Sequence, residues 1–184
     1  MCVKNLGVIL VMKKSCIPNI FTFINLGCGV LSLLATFDKK FMLSAGLIIL
    51  AAIVDRYDGR IARYLNVTSE LGKELDSLAD LVSFGVAPAI LSFVLYNFKD
   101  FMGFGIIGYA ALLAFPICGA FRLARYNTTE FDGEFRGIPI TIAGCIMAVY
   151  ALFTAKDFLN PYIPFILIVI LAYLMVSNFK LKKL

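Results

Sequence analysis

The 184-residue sequence contains no histidine. That absence removes His-ligated zinc sites, Ser–His and Cys–His nucleophiles, and any phosphohistidine intermediate. Charge is scarce as well: 16% of residues are Asp, Glu, Lys or Arg, against about 25% in soluble domains. The cysteines Cys2, Cys16, Cys28, Cys118 and Cys145 form no C-x-x-C pattern, and four have mainly apolar neighbours. They read as small apolar fillers or free thiols, not as a disulfide framework. There is no A-x-A-like cleavage site, no long internal repeat, no low-complexity segment, and no basic stripe of the kind that tracks nucleic acid.

What the chain has in excess is apolar surface. It is 61% hydrophobic, with a mean hydropathy of +0.90. A soluble core of this size cannot hide so much, so the bilayer is the expected solvent. Each crossing takes ~20 apolar residues, and six take roughly 120, which leaves only short loops. The expected architecture is an all-α integral membrane protein: one domain over residues 1–184, six transmembrane helices, and a short interfacial helix within residues 1–16. The run Leu6 to Met12, between Lys4 and Lys13-Lys14, is too short to span and suits the membrane surface.

Expected spans are about Pro18–Phe37, Phe41–Arg63, Leu71–Tyr96, Phe101–Arg125, Ile138–Ala155 and Pro161 to just before Lys180. Pro18 suits a helix start; Pro88 and Pro116 are expected to kink their helices. Asn19, Thr22 and Asn25 share one face of the first span, as packing glue or aimed at a ligand. Six spans put both termini on one side. Thirteen of the 17 Lys and Arg residues fall on that side and four on the other, which places the termini at the cytoplasmic face by the positive-inside rule.

One stretch departs from this pattern. Residues 55–80 hold six of the twelve acidic residues, between strongly apolar flanks. At about 100° per residue, Asp55, Asp58, Gly59 and Ala62 share a face of the second helix. Gly72, Asp76 and Asp80 share a face of the third. Each acid alone could simply pair with a neighbour, as Asp55 with Arg56. Four on two matching faces need cations, because like charges in a small volume repel. Hard oxygen ligands select Mg²⁺, Mn²⁺ or Ca²⁺, and a carboxylate-bridged metal pair is a recurrent arrangement for phosphoryl chemistry. Gly59, Ala62 and Gly72 leave room beside the acids, and Arg60 and Arg63 suit phosphate oxygens. A diphosphate substrate at the membrane surface is the expectation.

The run Asp55-x2-Asp58-Gly59-x2-Ala62-Arg63-x8-Gly72-x3-Asp76-x3-Asp80 resembles the signature of the CDP-alcohol phosphotransferase family at every fixed position. The resemblance implies a six-helix membrane enzyme, usually a homodimer. Such an enzyme transfers a phosphatidyl-type group from a CDP-linked lipid to an alcohol and releases CMP. It further implies that Asp55, Asp58 and Asp76 ligate the metals, and that Asp80 ligates too or serves as the base that deprotonates the acceptor. Asn19, Gly59, Arg63 and Ser69 would contact the CDP portion, with Ala62 and Gly72 shaping its cleft. The segments Ile17–Thr22, Leu75–Pro88, Arg122–Asn127 and Gly137–Pro139 are similar to the serine-accepting branch, the phosphatidylserine synthases, with Tyr57 and Ile138 as mild departures. Two ions, Mg²⁺ or Mn²⁺, and L-serine are thereby implied.

Arg122 and Arg125, near the cytoplasmic end of the fourth helix, suit the serine carboxylate, or serve as positive-inside anchors. Glycerol 3-phosphate or inositol phosphate as acceptor would also want arginines. A cation transporter is the alternative of another class, but it predicts acids spread through the membrane depth, and here they crowd one edge.

Overall fold

The computed structural model describes residues 2–64, 70–99, 105–128, 135–156, 160–177 and 180–181, with side chains for 19–57, 70–99, 105–128, 137–156 and 160–177. The first helix, α1, runs from Cys2 to Phe37 without a break. This corrects the helix start expected at Pro18: the helix continues through that proline, and the part of it apolar enough to cross a membrane is Asn19–Phe37. It stops at Asp38–Lys40. Lys39 turns to φ 60, and the amides of Asp38, Lys39 and Lys40 take the carbonyls of Leu34, Thr36 and Ala35 at 3.0, 2.9 and 2.8 Å.

The chain then reverses into α2, Phe41–Tyr64, which packs along α1. Small hydroxyls fasten the pair. Ser32 Oγ donates to the Ser44 carbonyl at 3.0 Å, and Thr36 Oγ1 and Ser44 Oγ lie 2.7 Å apart. In an apolar solvent such bonds across a helix pair supply specificity that apolar packing cannot.

The third rod has three parts: α3, Glu70–Asp80; a π-helical turn, Leu81–Val86; and α4, Ala87–Leu95. The proline expectation is refined here. Pro88 lies in the first turn of α4 and has no N–H for the Phe84 carbonyl four residues back. The chain widens just before it, with the Ala87 amide reaching the Val82 carbonyl. The wide turn lies at the centre of the bundle. Phe84 is fully buried, and both neighbours reach it through glycine. A Cβ on Gly29 of α1 would meet Ser83 Oγ at 2.5 Å and Ser83 Cα at 2.9 Å. A Cβ on Gly144 would meet the Phe84 carbonyl at 2.7 Å.

The remaining helices are α5, Gly105–Thr128, with Pro116 inside it; α6, Ile140–Thr154; and α7, Tyr162–Val176. Pro139 and Pro161 precede α6 and α7 as their N-caps. One antiparallel pair of two-residue strands, β1 (Phe135–Arg136) and β2 (Lys180–Leu181), is the exception to an otherwise helical fold. Among the described residues, three stretches are long and apolar enough to cross a membrane: Asn19–Phe37, Glu70–Leu95 and Gly105–Thr128. The helices of α6 and α7 are apolar but shorter. Large apolar side chains such as Ile106, Phe153 and Tyr173 point outward, as expected of a surface solvated by lipid.

The close approach at Gly29 makes a stability prediction. Gly29→Ala must displace Ser83 and is expected to destabilise by about 1–3 kcal/mol. Gly27→Ala meets nothing within 4 Å and is expected to be neutral or to stabilise by about 0.5–1 kcal/mol. Thermal unfolding in detergent compares the two, and equal midpoints would contradict the packing described.

Candidate active site

Two helices lying along α1 deliver the acidic residues. Asp55 sits in the second half of α2; Asp76 and Asp80 lie one turn apart on α3. One carboxylate oxygen from each of the three lies within 4.8 Å of the others. Asp55 and Asp76 are half-buried, and Asp80 is only 9% exposed. Three anions so close are mutually repulsive, and taking a carboxylate out of water is costly unless it is paired. All three offer hard oxygen donors, so the cluster fits a divalent cation of the Mg²⁺ or Mn²⁺ kind.

Two other helices bring polar groups towards this cluster. From α1, Asn25 Nδ2 donates to Asp80 Oδ1 at 3.1 Å, and Asn25 is fully buried. From α5, Arg122 brings its positive charge within range of Asp80. The Arg122 guanidinium lies over the Tyr126 ring, 5.9 Å from its centroid, and its Nε is buried with no hydrogen-bond partner among the described residues. The charge of Asp55 reaches Cys145 of α6. A groove of about 600 Å³ begins there and follows α6, lined by Thr141, Ile142, Cys145, Ile146, Val149 and Phe153 among others.

The other expected site residues fall into three groups. Asn19 is half-buried on α1 and Gly72 half-buried in the first turn of α3. Asp58, Gly59, Ala62 and Arg63 continue α2 beyond Asp55, but their side chains lie outside the described residues, as does Ser69 altogether. The two arginines part company. Arg122 is close enough to Asp80 for their charges to interact, whereas Arg125 Nη1 donates to the Val176 carbonyl at the end of α7, at 3.3 Å.

The family model described as CDP-alcohol phosphatidyltransferase matches residues 15–177. The chain belongs to the CDP-alcohol phosphatidyltransferase family. It is 38% identical over 176 residues to a CDP-diacylglycerol–serine O-phosphatidyltransferase of Helicobacter pylori strain 26695, covering 89% of this chain and 70% of that one. With the Bacillus subtilis strain 168 protein of the same name it shares 36% over 167 residues, 89% and 88% of the two chains. With that of Methanocaldococcus jannaschii it shares 34% over 174 residues, 94% and 77%.

Membership in the CDP-alcohol phosphatidyltransferase family makes the chain an enzyme of phospholipid synthesis, and the acidic cluster is where its residues converge. Two contributors were given no place in the site from sequence. Asn25 belongs to a polar stripe whose target the spacing left open. Asn127 donates to Ser77 Oγ at 3.0 Å and to Glu74 Oε1 at 3.4 Å, which fastens the end of α5 to the middle of α3. No local pattern marks that contact.

Proposed function

We propose that the protein transfers a phosphatidyl or archaetidyl group from a CDP-linked lipid to the hydroxyl of L-serine, releasing CMP. The observation that carries this reading is the meeting of Asp55, Asp76 and Asp80, with the charge of Arg122 acting on Asp80, on apolar helices. The acceptor follows the relatives cited above, each of which is named for serine.

In this reading Asp55, Asp58, Asp76 and Asp80 hold two divalent ions, Mg²⁺ or Mn²⁺. Bound there, they supply neutralisation of the diphosphate and stabilisation of the departing CMP. The chain's own residues do the rest. Asn19, Gly59, Ala62, Arg63, Ser69 and Gly72 receive the CDP portion, and the apolar groove along α6 takes a lipid tail. Arg122 orients serine through its carboxylate; its unpartnered buried Nε supports that role. Arg125 has the Val176 carbonyl for a partner and contributes to the acceptor pocket mainly by fixing the end of α5. Asp80 takes the proton of the serine hydroxyl. The freed oxygen attacks the lipid-side phosphorus in line, the new P–O bond forms, and the bond to CMP breaks with its electron pair leaving on CMP.

The six helical rods all cross the bilayer, as a homodimer, with the acidic cluster and both termini at the cytoplasmic face. An acceptor panel tests the reading. Purified protein with CDP-diacylglycerol and Mg²⁺ or Mn²⁺ is given L-serine, glycerol 3-phosphate or inositol phosphate, and CMP is measured. CMP release that follows L-serine is expected; release that follows one of the other two overturns serine as acceptor and leaves the transfer chemistry in place.

A further inference from the structure

We propose that Asn25 is a positioning residue for Asp80, holding that carboxylate in register with Asp55 and Asp76. The inference rests on the metal-binding reading of the acidic cluster given above. Asn25 lies in the middle of α1, fully buried, and its Nδ2 donates to Asp80 Oδ1 at 3.1 Å. A carboxylate only accepts hydrogen bonds, so the amide must turn its NH₂ towards Asp80 and its oxygen elsewhere. That oxygen, Asn25 Oδ1, is buried and has no partner among the described residues. Packing alone does not account for an amide here, since an apolar side chain of the same size would leave no orphaned oxygen. The orientation of the amide is dictated by Asp80.

The backbone on which Asn25 stands is fixed from the same rod. Ser83 Oγ donates to the Asn25 carbonyl at 2.9 Å, and Gly29, one turn further along α1, lets Ser83 come that close. Ser83 lies in the π-helical turn that begins one residue after Asp80. The contacts therefore close a loop: Asp80 to the Asn25 side chain, the Asn25 backbone to Ser83, and Ser83 back to Asp80 along the wide turn. Within this loop the amide N–H is the group that reaches the carboxylate. Without it, the Asp80 side chain loses the partner that fixes its rotation.

The test reads metal binding rather than turnover. The full chain in detergent is titrated with Mn²⁺ and free Mn²⁺ is followed by electron paramagnetic resonance. Hydrogen-bond partners of metal-binding side chains typically contribute about 10- to 100-fold to metal affinity. Asn25→Leu, which keeps the branched shape and removes the donor, is expected to weaken Mn²⁺ binding by about that factor. In an Asp80→Asn background the same substitution is expected to add no further loss. Asn25→Ala, which removes the donor without adding apolar bulk beside Asp80, is expected to reproduce the pattern and serves where the leucine perturbs folding. Undiminished Mn²⁺ binding by both variants overturns the inference alone, as does an equal loss in both backgrounds. A parent protein that binds no Mn²⁺ overturns the metal reading, and this inference with it.

Discussion

Asp80→Asn is expected to lower serine-dependent CMP release by about 10²- to 10⁴-fold, the range associated with loss of a general base. The substitution is isosteric, so the space at the end of α3 stays filled. It also removes one of three crowded negative charges from a site that is 9% exposed. The new amide can still accept from Asn25 through its oxygen. Thermal unfolding of the metal-free protein should therefore be unchanged or move upward while activity collapses. Opposite movement of stability and rate is the mark of a residue kept for chemistry at the expense of the fold. Near-parental CMP release by the purified variant would remove Asp80 from the proton-transfer step.

Chelation is expected to have a larger effect still. Stripped of divalent ions, the protein should release no CMP above background, and Mg²⁺ or Mn²⁺ added back should restore release. The same titration should be visible in stability. A ligand that binds only the folded state stabilises it by about 2.7 kcal/mol when present at 100 times its dissociation constant. At this cluster the ion also relieves repulsion among Asp55, Asp76 and Asp80, so the unfolding midpoint should rise with metal concentration and fall with chelator. Substituting Asp76→Asn should flatten that rise. Undiminished turnover in excess chelator would dismantle the proposed mechanism, whatever the acceptor.

Much of this architecture could be read from residue order. Long apolar runs bounded by Asp38–Lys40, Pro139 and Pro161 mark where the helices stop and start. The i, i+4 spacing of Asp76 and Asp80 places both on one face of α3. Periodicity gives a face, however, and not the neighbour that meets it. The carboxylates of α2 and α3 do converge, but their spacing does not show that both helices lie along α1, whose Asn25 donates to Asp80. Pro18 looked like a helix start because a proline fits the first turn well, yet α1 runs on through it. Pro88 announces a lost hydrogen bond, but whether the chain answers with a kink or a wide turn depends on Gly29 and Gly144 pressing on Ser83 and Phe84. Arg122 and Arg125 are equivalent as letters. Only the position of α7 separates them, by giving Arg125 a carbonyl and leaving Arg122 to Asp80.

The small strand pair has a practical use. Asn127 joins the end of α5 to the middle of α3, Arg125 joins the same end to the last turn of α7, and β1 then pairs with β2 just beyond. The segment after α7 is thus held at the end of the bundle where the acidic cluster opens. A fluorescent or enzymatic reporter fused beyond Leu181 shares a compartment with that opening, so one topology readout at that point identifies the side of the bilayer from which water-soluble substrates arrive.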